Sequence, residues 1–168
     1  MNTGTQRSGL TPAGARTTTT WSGKRENPKD LPRIMEAHQI PYVASTSAAF
    51  PADVYDKVLK ARGIHGLRYI HMNTPCPSGW SFDPKDSVGL GRLAVDTGIV
   101  VLYEIEDGVF RLTGRSASLA KSGSRKPVAD YVVTQGRFRG MTAETIADVQ
   151  AWVDKRWAGY VTRNSTPA

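Results

Sequence analysis

Apolar and polar positions alternate with two different periods along this chain, and the periods place the elements. Pro51–Gly63 (PADVYDKVLKARG) carries Val54, Val58 and Ala61 on one helical face, with Gly63 just beyond as a C-cap. Leu31–Gln39 (LPRIMEAHQ) is predicted to be a short helix, with Asp30 as its N-cap and Pro32 in the first turn. Val88–Thr97 (VGLGRLAVDT) is a helix weakened by two glycines that ends at Gly98, and Val128–Gln135 is a further short helix. Thr142–Tyr160 has the strongest helical period, a stripe of Ile146, Val149, Val153 and Trp157, and opens on a weakened capping box at Thr142 and Thr145. Ile40–Ser45 (IPYVAS) and Leu67–Met72 (LRYIHM) are predicted strands. Ile99–Glu104 and Val109–Thr113 are predicted to pair as an antiparallel hairpin turning at Glu106–Asp107–Gly108. Met1–Lys29 has no period, Ser116–Lys126 is expected to be a loop, and the last eight residues are expected to fray.

Strands alternating with helices imply parallel βαβ units, hence an α/β fold. Two parallel strands make a poor sheet, because parallel sheets are covered on both faces. The pattern therefore predicts half of a mostly parallel, doubly wound sheet. Ligands in such sheets bind at the carboxyl ends of the strands, here in the opening segment and in Asn73–Trp80 (NTPCPSGW).

The 168 residues are 39% hydrophobic, enough for one core. The longest apolar run, near Gly98–Tyr103, is far below the ~18 residues that a membrane span needs, so no membrane association is expected. The N-terminus has no charged-then-apolar signal pattern, and a cytoplasmic location is expected. The net charge of +7 gathers in Arg16–Arg33, Arg115–Lys126 and Arg137–Arg139. These stretches lack interleaved stacking aromatics, so they are read as solvated loops, or as a face for an acidic partner or anionic substrate, rather than a nucleic-acid site.

Asn2, Thr3, Gly4, Thr5 and Gln6 offer amides and hydroxyls beside a glycine that admits close backbone approach. Such groups suit a phosphate or a magnesium ion bridging phosphates, and a polar tail is the plain alternative. The single cysteine, Cys76, lies between two prolines. Cys-Pro is a frequent setting for an iron–sulfur ligand, yet one thiolate cannot hold a four-iron cluster, and a buried small hydrophobe is the common role of a lone cysteine. His38 and His65 sit at helix ends and His71 in a strand, and all three are read as structural. Gly89-Leu-Gly91 lacks the third glycine of a dinucleotide fingerprint.

The words MNTGTQRSGLTPAGARTTTT, GK, KDLPRIMEAHQIPYVA, RYIH, PCPSGW, GRLAVDTGIVVLYE and VADYVVTQGRFRG resemble, in the same order, the β subunit of the pyruvate:ferredoxin oxidoreductases (pyruvate synthases). That is the thiamine-diphosphate-binding subunit of the 2-oxoacid:ferredoxin oxidoreductases. The resemblance runs from Asn2 to about Trp157. It implies oxidative decarboxylation of pyruvate to acetyl-CoA and CO2, with electrons passed through iron–sulfur clusters to ferredoxin, or the reverse synthesis. It implies that Asn2 is catalytic and binds thiamine diphosphate with Thr3 and Gly4, and that Cys76 is one thiolate of a 4Fe-4S cluster. The Gly-Asp-Gly that opens the family's magnesium and diphosphate motif has no counterpart here, nor do the other three cluster cysteines.

The chain is thus expected to match the C-terminal half of the subunit. Residues 1–114 would be the C-terminal half of the thiamine-diphosphate-binding domain and 115–168 a C-terminal extension of the subunit; the sheet is expected to be followed by the hairpin and a helical extension. The implied partners are the other subunits (α, γ, δ or fused equivalents), ferredoxin, pyruvate and coenzyme A. The chain alone is expected to be inactive. The alternatives are a family member acting on phenylglyoxylate, 2-oxoglutarate or a branched-chain acid, and a truncated, non-catalytic binding module.

Overall fold

The computed structural model describes residues 6–165. Its framework is a four-stranded mixed sheet in the order β2-β1-β3-β4. β1 (Tyr42–Ser47) is central and buried at all six positions. β2 (Arg68–Asn73) pairs with it in parallel, Val43 opposite Tyr69. β3 (Tyr103–Glu106) pairs with the other side of β1 in antiparallel, Val43 opposite Ile105, and β4 (Val109–Leu112) closes the hairpin. The fold is α/β, but only the β1–β2 pairing is parallel. The hairpin is built into the sheet rather than appended to it. Its first strand starts later than the apolar run suggested, because Ile99–Leu102 is core packing rather than ladder. The Leu102 amide, for instance, donates to Ser116 Oγ at 2.8 Å. The turn is a two-residue one, with φ of 47° at Asp107 and 83° at Gly108, as the strand twist favours.

The helices α1 (Leu31–Ala37) and α2 (Pro51–Gly63) stand where predicted, α3 (Pro77–Trp80) is a short helix in a stretch for which none was predicted, and α4 (Ser87–Asp96) is again a predicted one. α2 has the predicted length, but its buried face is not the predicted stripe. Lys57 and Ala61 face the sheet, while Val58 is 51% exposed. Lys57 is held down by Asp53 Oδ2 (2.6 Å), Ser45 O (2.8 Å) and Thr113 Oγ1 (2.8 Å). A buried ion pair has displaced the apolar residues to the outside of the helix. In α4, Gly91 lies so near the β1–α2 turn that a Cβ would stand 2.7 Å from that of Ala49. The glycine that weakens the helix therefore allows it to pack.

The expected loop at Ser116–Lys126 is largely a helix, α5 (Gly114–Ser122). Buried Ser116 and Leu119 anchor it, and Gly123 (φ 67°) ends it. α6 (Val128–Val132) is shorter than predicted. α7 (Ala143–Ser165) is longer, and residues 161–165 are helical where fraying was expected. Tyr160 stacks on Phe110 (centroids 5.6 Å apart, planes at 4°), the Arg163 guanidinium forks onto the Glu36 carboxylate, and Asn164 Oδ1 accepts from the Leu112 amide at 2.7 Å. One core joins α4, α6 and α7 to Trp80 and Phe138. A second fills the sheet face under α1 and α7, and a third, smaller one lies between α2 and β1.

Candidate functional site

β1 and β2 end side by side, and the Ala48 amide just after β1 donates to Asn73 O at 3.0 Å. Three residues on stands Cys76, the N-cap of α3, half-buried, with its Sγ 3.7 Å from Ser78 Oγ. Pro75 and Pro77 stiffen the backbone on either side of the thiol. Trp80, one turn later, is buried. A 3₁₀ turn at Gly136–Phe138 packs against α3, its Gly136 amide donating to Ser81 O at 2.9 Å. A Cβ at Gly136 would lie 2.6 Å from Ser81 Cβ, so glycine is what lets the two turns meet.

This meeting sets Arg137 over the Trp80 ring, 3.8 Å from its centroid. Arg137 Nε donates to Gln135 Oε1 and Nη2 to the Tyr131 hydroxyl, both at 2.8 Å. A guanidinium that is 5% exposed is therefore held by neutral oxygens and ring faces. Burial lowers its pKa from the ordinary arginine value, and negative charge on Tyr131 or Cys76 acts in the opposite sense. The site thus pairs the thiol loop with a fixed positive charge. Sequence reasoning placed Arg137 in a basic surface stretch; the Gly-Arg-Phe flanked by Gln135 was the signal that it is something else.

The opening segment comes to the same place. The Arg16 amide donates to Arg137 O at 2.8 Å. Gly14 N bonds Lys24 O (2.7 Å) and Lys24 N bonds Ala15 O (3.0 Å). The Lys24 ammonium then turns inward to Thr11 O at 2.7 Å, and burial lowers its pKa. Gly23 (φ 83°) passes so close to Gly14 O that a Cβ would be 2.8 Å away. The described part of the opening, from Gln6 to Lys29, is therefore a packed loop with buried Thr11, Ala13 and Ala15, not a loose tail. Asn2, Thr3 and Gly4 lie outside the described residues.

Between this loop, the end of β2 and α7 lies a cavity of about 290 Å³, lined among others by Thr11, Asn73, Trp80, Asp30 and Arg156. Two buried polar atoms without partners, Asn73 Oδ1 and Arg156 Nε, belong to residues of its wall. At its α7 side the Asp30 carboxylate takes the hydroxyls of Tyr160 and, at 3.4 Å, of Tyr103. Burial raises the pKa of both phenols well above the ordinary tyrosine value. His71 is bonded to the Tyr69 hydroxyl at 3.0 Å, and burial lowers its pKa against the opposing pull of the Asp30 carboxylate. Among the described residues no three His, Cys, Asp or Glu side chains come together to hold a metal ion. Cys76 can supply one ligand to a shared metal centre and no more.

No family model matches the chain. It is 52% identical over 159 residues to pyruvate synthase subunit PorB of Methanothermobacter marburgensis, covering 92% of this chain and 53% of that protein. The PorB of Methanocaldococcus jannaschii is 44% identical over 161 residues, 93% of this chain and 52% of the relative. The chain is a homologue of pyruvate synthase subunit PorB. Ketoisovalerate oxidoreductase subunit VorB of Pyrococcus horikoshii is also similar, 39% identical over 162 residues, 94% of this chain and 51% of VorB. The chain spans about half the length of these curated relatives. The structure brings the thiol loop and the described part of the opening segment together through Gly136–Phe138, which bonds to both. Among the described residues no helix is long and apolar enough to cross a membrane.

Proposed function

We propose that this chain provides the C-terminal half of the thiamine-diphosphate-binding β subunit of a 2-oxoacid:ferredoxin oxidoreductase that acts on pyruvate. The observation that carries this reading is the 52% identity to PorB across nearly the whole chain. The geometry is consistent with it. Cys76 is presented just beyond the carboxyl end of β2, half-buried, at the head of a short helix whose Trp80 carries the Arg137 guanidinium, a placement that suits an iron–sulfur ligand. Asn2, Thr3 and Gly4 lie outside the described residues, and their role in holding the thiamine diphosphate rests on the resemblance; the described loop from Gln6 to Lys29 bonds to Arg137 through the Arg16 amide. Magnesium would be held by residues outside this chain.

When bound, thiamine diphosphate supplies the carbanion chemistry at the 2-oxo carbon, and the 4Fe-4S cluster accepts the electrons. The chain's own part is positional. Pro75 and Pro77 fix the direction of the Cys76 thiolate, Arg137 keeps a positive charge close to it, and the Arg16–Arg137 bond couples that loop to the cofactor-binding opening. The remaining subunits, ferredoxin, pyruvate and coenzyme A are the partners of the complete enzyme.

Co-expression under anaerobic conditions with the rest of a PorB subunit and its companion subunits tests the reading. Pyruvate- and coenzyme-A-dependent reduction of ferredoxin is expected. Cys76→Ser should abolish it together with the visible absorption of the cluster, without changing the circular dichroism of the isolated chain. Cluster absorption that survives Cys76→Ser would overturn the assignment. Calorimetry of the isolated chain with thiamine diphosphate and magnesium should show negligible heat. The 39% identity to VorB supports one second reading, a branched-chain 2-oxoacid as substrate. The ratio of kcat/KM for pyruvate and 2-oxoisovalerate decides between them.

A further inference from the structure

Positions 152, 155, 156, 159, 160 and 163 of α7 are spaced three and four apart, so they share one face of that helix. Together with Arg33 of α1 they wall a cleft of about 370 Å³. Contacts between the two helices brace it. The Arg163 guanidinium forks onto Glu36 of α1, and the Tyr160 hydroxyl donates to Asp30, the N-cap of α1.

Four cations line the cleft, and only part of their charge is answered. Glu36 pairs with Arg163, and the Asp30 carboxylate acts on Arg156. Arg33 and Lys155 are exposed and have no ion-pair partner among the described residues. Arg156 stacks on Trp152, 4.3 Å from the ring centroid, and its Nη2 donates to Gly98 O (2.9 Å) and Ile99 O (2.5 Å). Its Nε is buried and has no acceptor. A buried donor without a partner is costly. Gly159 adds a third observation. A Cβ there would meet nothing within 4 Å, and its φ is not positive. Neither packing nor backbone conformation asks for glycine at this position, and inside a helix glycine is less favourable than alanine. Its effect is to leave that wall of the cleft bare.

We infer that this cleft between α1 and α7 binds a small phosphate-bearing anion. The two unanswered positive charges match one phosphate group, which carries about −1.5 to −2 near neutral pH. Guanidinium forks and an ammonium suit its oxygens. The volume falls in the range of about 300–1,000 Å³ usual for small-molecule sites. The acidic face of a protein would meet the exposed Arg33 and Lys155, but a flat surface does not reach a buried Nε. The inference does not depend on the PorB reading.

Calorimetry of the full 168-residue chain with inorganic pyrophosphate and, in a second arm, AMP tests it. One-to-one binding that weakens as salt rises is expected. Arg33→Gln combined with Lys155→Gln, both at exposed positions, should leave thermal unfolding within a degree or two and weaken binding at least tenfold. Gly159→Leu should weaken binding as much while the melting temperature stays unchanged or rises, a combination that damage to the helix would not give. Lys121→Gln, at an exposed lysine of another basic stretch, should change neither. Tighter binding of AMP assigns the cleft to a nucleotide and tighter binding of pyrophosphate to a free polyphosphate, and either supports the site. No saturable binding by the folded chain up to millimolar probe overturns it. So does binding that survives the double substitution, or that Lys121→Gln weakens equally. Polyglutamate that binds where both phosphate probes fail overturns it in favour of an acidic protein partner.

Discussion

Arg137 has the most to lose from a small change. Lysine keeps the charge but not the planar fork, so Arg137→Lys forfeits the bonds to Gln135 Oε1 and the Tyr131 hydroxyl and the stacking on Trp80. The expected loss is about 1.5–3 kcal/mol of stability, measured by urea denaturation followed through Trp fluorescence. His71 makes a pH prediction. Burial lowers its folded pKa below the ordinary 6.5, so the unfolded chain binds that proton more tightly. Its contribution is fully present above about pH 6.5 and is lost as pH falls from there toward the lowered folded value. In a pH series of denaturation midpoints, His71→Gln should flatten the decline between pH 7 and 5. Buried Lys57 and exposed Val58 could not be told apart in advance, because a helical period scores hydrophobicity and cannot see that Asp53, Thr113 and Ser45 O wait beneath the lysine. Arg137 was half legible: Gln135 and Tyr131, which hold its guanidinium, are near it in sequence, whereas Trp80, on which it stacks, is not.

Among elements, α2 owes its docking to that ion pair. Lys57 and Asp53 are both nearly solvent-free, and Asp53 also accepts from Thr46 (2.6 Å) and Thr113 (2.7 Å). Lys57→Met should cost about 3–5 kcal/mol, since it leaves a buried carboxylate uncompensated. Adding Asp53→Leu should recover a large part of that loss, and a double-mutant cycle read by chemical denaturation measures the coupling. If the losses simply add, the pair is not the unit described here. Element boundaries were most legible where local chemistry decides them. Pro51 and Gly63 bracket α2, and Asp107–Gly108 dictate the hairpin turn. α5 was missed because three serines and Gly114 speak against a helix locally, and what stabilises it is the distant Leu102 amide and the pocket for Leu119.

For the molecule as a whole, α7 is the closing element. Ending the chain at Gly159 would remove Tyr160 from its stack on Phe110, release the second hydroxyl on Asp30, break the Arg163–Glu36 pair and uncap Leu112. Loss of the buried aromatic alone is worth about 3–5 kcal/mol, so this truncation should abolish cooperative thermal unfolding in calorimetry. The periodicity of α7 was plain, but its last turn looked free because its partners, Glu36 and Asp30, sit over a hundred residues earlier. The pairing of the sheet was less legible: two parallel strands suggested a mostly parallel half-sheet, whereas β1 takes the hairpin as its other neighbour in antiparallel. These ties from the last helix back to Asp30 and Glu36 have a bearing on biosynthesis. α1 is tied down by a helix that follows it by more than a hundred residues, so during synthesis it lacks those ties until α7 has been made.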